Sequence, residues 1–68
     1  MDGKRRKYVE EYIYRKFLIF MDSCDATLFA ESLAEDVVSD IEETADENFN
    51  GADIEIAITR VLKARLGL

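Results

Sequence analysis

The chain has 68 residues, enough for one small domain, and a formal net charge of −6 at pH 7. This acidity argues against nucleic-acid binding over most of the surface, because phosphates carry the same sign. Histidine is absent and Cys24 is the only cysteine, which excludes an intrachain disulfide and a zinc site and favours a reducing compartment. We expect Cys24 to have a packing role, with an unreactive thiol. The apolar run at residues 17–21 is too short for a signal peptide or a membrane span, so we expect a soluble, intracellular protein.

The first predicted helix covers about residues 4–21. Apolar side chains recur along it at helical spacing: Val9, Ile13, Phe17 and Phe20. A strand stays the alternative, because the segment is rich in aromatic and β-branched residues. Residues 17–21 would be apolar on every face, as in a helix that is central in its fold or shared with another chain. We therefore predict dimerisation through this helix, with contacts at Tyr12, Phe17 and Phe20.

The second predicted helix covers about residues 25–46, and its N-cap candidates are Ser23, Asp25 and Thr27. One arc of this helix is apolar: Ala30, Leu33, Ala34, Val37, Val38, Ile41 and Ala45. Its outer side is almost purely anionic, since no lysine or arginine occurs between Asp22 and Glu55. Carboxylates four residues apart repel one another, and nothing within the helix compensates. Packing of the apolar arc must therefore hold this helix in the fold.

A turn at residues 48–51 leads to a third helix, predicted over about residues 52–66. Asn50 and Asp53 have the spacing of a capping box, and Gly67 fits a C-terminal cap. One face of the helix is apolar: Ile54, Ala57, Ile58, Val61, Leu62 and Leu68. The chain is thus predicted to form a single all-α domain, a small three-helix bundle.

Residues 46–51 match the first half of an EF-hand calcium loop, with Asp46, Asn48 and Asn50 as oxygen ligands. The second half departs from that motif, because Ala57 stands where a bidentate glutamate is needed. A solvated turn with an N-cap is the simpler interpretation. We therefore expect no metal and no other cofactor, with weak calcium binding as the alternative.

Catalysis finds little support in the residue types. The carboxylates are predicted to be exposed, no histidine can act as a base near neutrality, and no glycine-rich phosphate loop occurs. We predict that the protein is not an enzyme. The basic cluster from Lys4 to Lys7 could contact phosphates or an acidic protein. Because no basic face supports it, direct binding of nucleic acid is not expected.

The acidic face is the most informative feature of the sequence. Its two edges carry four carboxylates each: Asp36, Asp40, Glu43 and Glu47 on one, and Glu31, Glu35, Glu42 and Asp46 on the other. The ten carboxylates between Asp22 and Glu47 would lie along about 39 Å of helix, or one per ~4 Å. DNA carries a phosphate about every 3.4 Å along one strand. We predict that this face occupies a basic nucleic-acid-binding groove of a host protein. The alternative is a solvated face that only ensures solubility.

The C-terminal half combines an acidic helix, an asparagine-containing turn and a basic-ended helix: Asp36 to Asp46, Phe49-Asn50, Asp53 to Ile58, Arg60-Val61-Leu62 and Arg65-Leu66-Gly67. This pattern, over residues 36–67, resembles short proteins encoded by bacteriophages and prophages, most of unknown function. Phage proteins of this size and acidity include inhibitors of host defence nucleases, among them anti-CRISPR proteins, and some resemble DNA in charge. The resemblance implies an inhibitor in the cytoplasm of a bacterial host, with a partner such as a CRISPR nuclease. The resemblance implies no catalytic residue in this chain.

Two functions of other classes stay open. One is a structural or assembly protein that works as its own oligomer, for which Phe17 and Phe20 would matter more than any acid. The other is a small regulator that contacts nucleic acid through Lys4 to Lys7.

Overall fold

The computed structural model describes residues 3–44 and 48–67, and over these residues it contains three α-helices and no strand. Helix α1 spans Gly3–Phe17, α2 spans Ser23–Thr44 and α3 spans Gly51–Leu66. The predicted all-α three-helix bundle is confirmed. The predicted end of α2 at residue 46 lies outside the described residues. None of the described helices has both the length and the apolar composition that crossing a bilayer requires.

Helix α1 is shorter than its apolar pattern predicts, because it ends at Phe17 and residues 18–20 form a turn. The backbone N–H of Leu18 donates to the carbonyl of Tyr14 at 3.0 Å, and the N–H of Phe20 donates to that of Phe17 at 3.0 Å. Since α2 begins at Ser23, a helix that continued to residue 21 would leave no room for the chain to reverse. The apolar run is therefore a turn between two helices.

The start of α2 is capped by a residue outside the three predicted candidates. The backbone N–H of Asp25 donates to Asp22 Oδ1 at 2.8 Å, and the N–H of Ala26 donates to the Asp22 carbonyl at 2.9 Å. Asp22 therefore satisfies N–H groups that the first turn leaves without an intrahelical partner. The prediction that Cys24 has a packing role is also wrong, because this residue is exposed in the same turn.

The core lies along α2, which packs against both other helices. Six of its residues are buried: Ala26, Ala30, Leu33, Ala34, Val37 and Ile41. All of these except Ala26 form one cluster with Val9 and Ile13 from α1 and with Ile54, Ala57 and Ile58 from α3. In the described part of the chain no polar or charged side chain is buried. Burying apolar surface is the main favourable contribution to folding, so this shared core holds the three helices together.

Helix α3 has well-defined caps at both ends. The Asn50 side chain accepts from the backbone N–H groups of Ala52 and Asp53 at 2.9 and 3.2 Å, and Asp53 Oδ2 accepts from the Asn50 N–H at 3.0 Å. This reciprocal pair is the predicted capping box. At the other end Gly67 has φ 74°, a left-handed conformation that glycine adopts without steric cost.

Removing the N-cap of α3 should destabilise the fold measurably. Replacing Asn50 with alanine removes the oxygen that accepts both N–H bonds, so the free energy of unfolding should fall by about 1 kcal/mol. Urea unfolding followed by circular dichroism gives this value. Asn50→Ser is the matched control, because serine is also a good N-cap and should retain most of the stability. Equal loss in both variants would contradict a capping role.

Candidate protein-binding surface

The structure describes six of the eight carboxylates that were predicted to bind a partner; Asp46 and Glu47 lie outside the described residues. The six do not form one surface. Asp36 and Asp40 face α3, where they meet arginines. Glu31, Glu35, Glu42 and Glu43 are exposed on the remainder of α2. Asp36 and Asp40 therefore differ in their surroundings from the other four, which include Glu43 of their own predicted edge.

Asp40 is paired within the molecule. Arg60 donates to Asp40 Oδ2 through Nη2 at 2.6 Å and through Nε at 3.0 Å. Arg60 Nη2 also donates to Thr44 Oγ1 at 3.0 Å. The Asp40 side chain is only 21% exposed, so little of this carboxylate is left for an external partner.

Asp36 also pairs with an arginine, one turn earlier on α2, although its side chain is 55% exposed. Arg65 donates to Asp36 Oδ2 through Nη2 at 2.6 Å and through Nε at 3.2 Å, and it also donates to the carbonyl and hydroxyl of Ser32. Both arginines come from α3. This helix thus supplies the compensation that α2 lacks in its own sequence, and the Asp36–Asp40 edge is a seam between two helices.

The opposite edge of α2 faces solvent. At ~100° per residue, four exposed residues lie within about 60° of one another on the side of α2 away from Asp36 and Asp40, and we name them the outer stripe: Leu28, Glu31, Glu35 and Glu42. Glu31 has no ion pair among the described residues. Glu35 Oε1 lies 3.8 Å from Arg6 Nη2, with the two side chains 68% and 46% exposed, and such a surface pair contributes little. The outer stripe therefore presents carboxylates to solvent.

Leu28 belongs to this surface although the sequence pattern did not single it out. It lies between Asp25 and Glu31 on the anionic side of α2 and is 62% exposed. The sequence could have indicated this through the position of Leu28 opposite the apolar arc of α2, because an apolar residue there cannot reach the core. An exposed leucine beside glutamates gives the stripe an apolar contact point as well as charge.

The residues predicted for self-association do not share one open surface. The hydroxyl of Tyr12 donates to Glu55 Oε1 at 2.6 Å, across the seam between α1 and α3. Phe17 packs edge-on against Phe29, with ring centroids 4.8 Å apart. Only Phe20 is largely exposed, at 74%. Tyr12 and Phe17 thus make contacts within the molecule, and Phe20 lies in the turn that follows α1.

The Tyr12–Glu55 bond lies in an open groove of about 490 Å³ between α1 and α3. Lys16 Nζ also binds Glu55, at 3.0 Å from Oε1 and 2.9 Å from Oε2. The Tyr12 bond, followed by the Lys16 bond, lowers the pKa of Glu55 below its ordinary value, and the same bond to Glu55 raises the pKa of Tyr12. Both shifts move the pKa values further from 7. A general acid or base that works at pH 7 requires a pKa close to 7.

The predicted calcium ligands have surroundings that differ from those of ligands in a calcium loop. The side-chain oxygen of Asn50 accepts two backbone N–H bonds at the start of α3, Asn48 is exposed, and Asp46 lies outside the described residues. Across residues 3–44 and 48–67, no three metal-ligating side chains come together. In the basic cluster, Lys4 and Lys7 are exposed, whereas Arg6 lies against Glu35.

No protein-family model matches this chain, and neither the curated proteins nor the solved structures include one with significant similarity to it.

The two edges of α2 should respond differently to the same change of charge. Asp40→Lys removes the Arg60 pair and places two cations together, so the free energy of unfolding should fall by about 1 kcal/mol. Glu31→Lys changes the net charge equally at a solvent-exposed site and should alter stability by less than about 0.5 kcal/mol. Urea unfolding at low salt measures both. Equal effects would contradict the assignment of one edge to a helix seam.

The Glu55 bonds predict an acid-dependent contribution to stability. The pKa of Glu55 is lower in the folded state than its ordinary value of 4.5. The Glu55 bonds therefore contribute fully to the free energy of unfolding above pH 4.5, and this contribution is lost as the pH falls through the lowered pKa. The unfolding midpoint in urea should therefore fall more in the wild type than in Glu55→Gln between about pH 6 and about pH 3. Tyr12→Phe, which keeps the ring but not the main donor, should fall between the wild type and Glu55→Gln, because Lys16 still binds Glu55. Parallel curves for all three proteins would refute this.

Proposed function

We propose that this protein is a non-enzymatic binding module whose outer stripe contacts a basic surface of another protein. The exposure of Glu31 and Glu35 carries this proposal. These carboxylates are available to a partner without disturbing the fold, whereas Asp36 and Asp40 are held by arginines of the same chain. Charge-complementary surfaces of this kind accelerate association and select partners.

The stripe also limits the kind of basic surface it fits. From Leu28 to Glu42 it runs about 21 Å along the helix, with three carboxylates and one exposed leucine. Its charges are more widely spaced than phosphates, which lie about 3.4 Å apart on one DNA strand. A nucleic-acid-binding groove that offers a few spaced lysines or arginines beside an apolar contact for Leu28 matches the stripe better than one lined by closely spaced cations.

A nucleic-acid-binding groove of a host protein is the partner we propose. The likeness of residues 36–67 to phage-encoded proteins provides the biological setting: an inhibitor in the cytoplasm of a bacterial host, directed at a defence protein such as a CRISPR nuclease. The module would act by occupying the groove, so inhibition requires no chemistry from its own side chains. Nucleic acid and this protein would then exclude each other from the partner.

The test is affinity capture from bacterial lysate with tagged wild-type protein, with identification of the retained proteins by mass spectrometry. We expect a nucleic-acid-binding protein that is displaced by double-stranded DNA and by raised salt, because screening weakens exposed charge contacts. Glu31→Lys should weaken its capture about tenfold or more through charge repulsion. The matched control is Glu11→Lys, which makes the same change of charge at an exposed site on α1.

Two results would contradict this function. The first is capture that neither DNA, salt nor Glu31→Lys affects. The second is equal weakening by Glu31→Lys and Glu11→Lys, because that would reflect the net charge alone and leave the acidic face a role in solubility. Circular dichroism of each variant separates a loss of binding from a loss of fold.

A further inference from the structure

The turn between α1 and α2 exposes three consecutive large apolar side chains, Leu18, Ile19 and Phe20, which we name the apolar tip. They are 40%, 80% and 74% exposed. Single exposed apolar residues are common, but a contiguous group marks a site of interaction. The tip lies outside the outer stripe and shares no residue with it.

The apolar tip is held in place by contacts within the molecule. Two backbone hydrogen bonds close the turn, from Leu18 to Tyr14 and from Phe20 to Phe17, both at 3.0 Å. The Phe20 ring lies 6.4 Å from the ring of Phe17, which in turn packs edge-on against Phe29 on α2. A surface that is ordered before binding loses less entropy when it binds, so the tip is suited to form an interface.

The helix ends that lead into and out of the tip carry opposite charges. Arg15 lies in the last turn of α1 and Asp25 in the first turn of α2. Both residues are exposed, and the described part of the chain offers neither of them an ion-pair partner. A basic groove or a nucleic acid would repel one of these two charges. A surface with the same two charges in the reverse order would satisfy both.

We propose that the apolar tip is a two-fold symmetric contact between two copies of this chain. In such a contact each residue meets its counterpart reciprocally, so Arg15 of one copy pairs with Asp25 of the other, twice. Ile19 and Phe20 of the two copies pack between these pairs. Three apolar side chains and two ion pairs make a small interface, and we expect a dissociation constant in the micromolar range or weaker.

The location differs from the one that the sequence predicts. The sequence assigns the contact to a face of the first helix that includes Tyr12 and Phe17, and both of these side chains are engaged within the protomer. The contact instead moves to the turn, where Ile19 is the most exposed large apolar residue. The dimer does not depend on the function proposed for the outer stripe.

Sedimentation equilibrium over a range of concentrations tests this contact. The wild type should exceed its monomer mass of 7.8 kDa as its concentration rises. Ile19→Asp puts a charge at an exposed position, so it should keep the helical circular dichroism signal and remain a monomer. Glu31→Lys should associate as the wild type does, which separates this contact from the outer stripe.

A charge exchange identifies the second copy as the occupant. Arg15→Glu and Asp25→Arg each place like charges opposite one another in a symmetric dimer, so each variant alone should associate at least about tenfold more weakly. An equimolar mixture of the two should associate again. In the mixed dimer the introduced glutamate of one variant faces the introduced arginine of the other, and the retained Asp25 faces the retained Arg15.

Three results would each overturn the proposal. The first is a wild type that is monomeric up to about 1 mM. The second is association by Ile19→Asp, and the third is a mixture of the two charge variants that stays monomeric.

Discussion

The buried arc of α2 is the constraint on which the rest of the structure depends. This helix carries acids on its outer side without a single lysine or arginine, so its own side chains repel one another. Six buried residues outweigh that repulsion by packing against α1 on one side and α3 on the other. Because both neighbouring helices are positioned by the same arc, each side of α2 acquires a different electrostatic environment.

The two arginines of α3 give the acidic helix its functional asymmetry. Arg60 pairs with Asp40 and Arg65 with Asp36, which leaves the two aspartate side chains 21% and 55% exposed. On the side nearer α1, Arg6 approaches Glu35 loosely, at 3.8 Å. A uniform acidic surface is thereby reduced to a solvent-facing stripe with an apolar residue at its N-terminal end. For the function proposed above, this asymmetry favours a nucleic-acid-binding groove with a few spaced cations over one lined by closely spaced cations.

The apolar run after Phe17 forms a turn instead of the helix that its pattern predicts, because the chain reverses there. As a helix, residues 17–21 would have buried or shared every face, but α2 starts at Ser23 and the chain has to turn before it. Phe17 stays with the core through Phe29, while Ile19 and Phe20 are left in solvent. The apolar surplus that suggested a partner along helix 1 is thus concentrated at one end of the molecule.

Local spacing in the sequence was sufficient for the helical class, the apolar faces and the capping box at Asn50, because each depends on residues within a few positions of one another. It could not show that Asp36 pairs with Arg65, 29 residues away, or that Tyr12 binds Glu55, 43 residues away. Those contacts depend on how helices cross, which no local pattern encodes. The sequence therefore determined that α2 is acidic, and the tertiary structure decided which of its acids remain available.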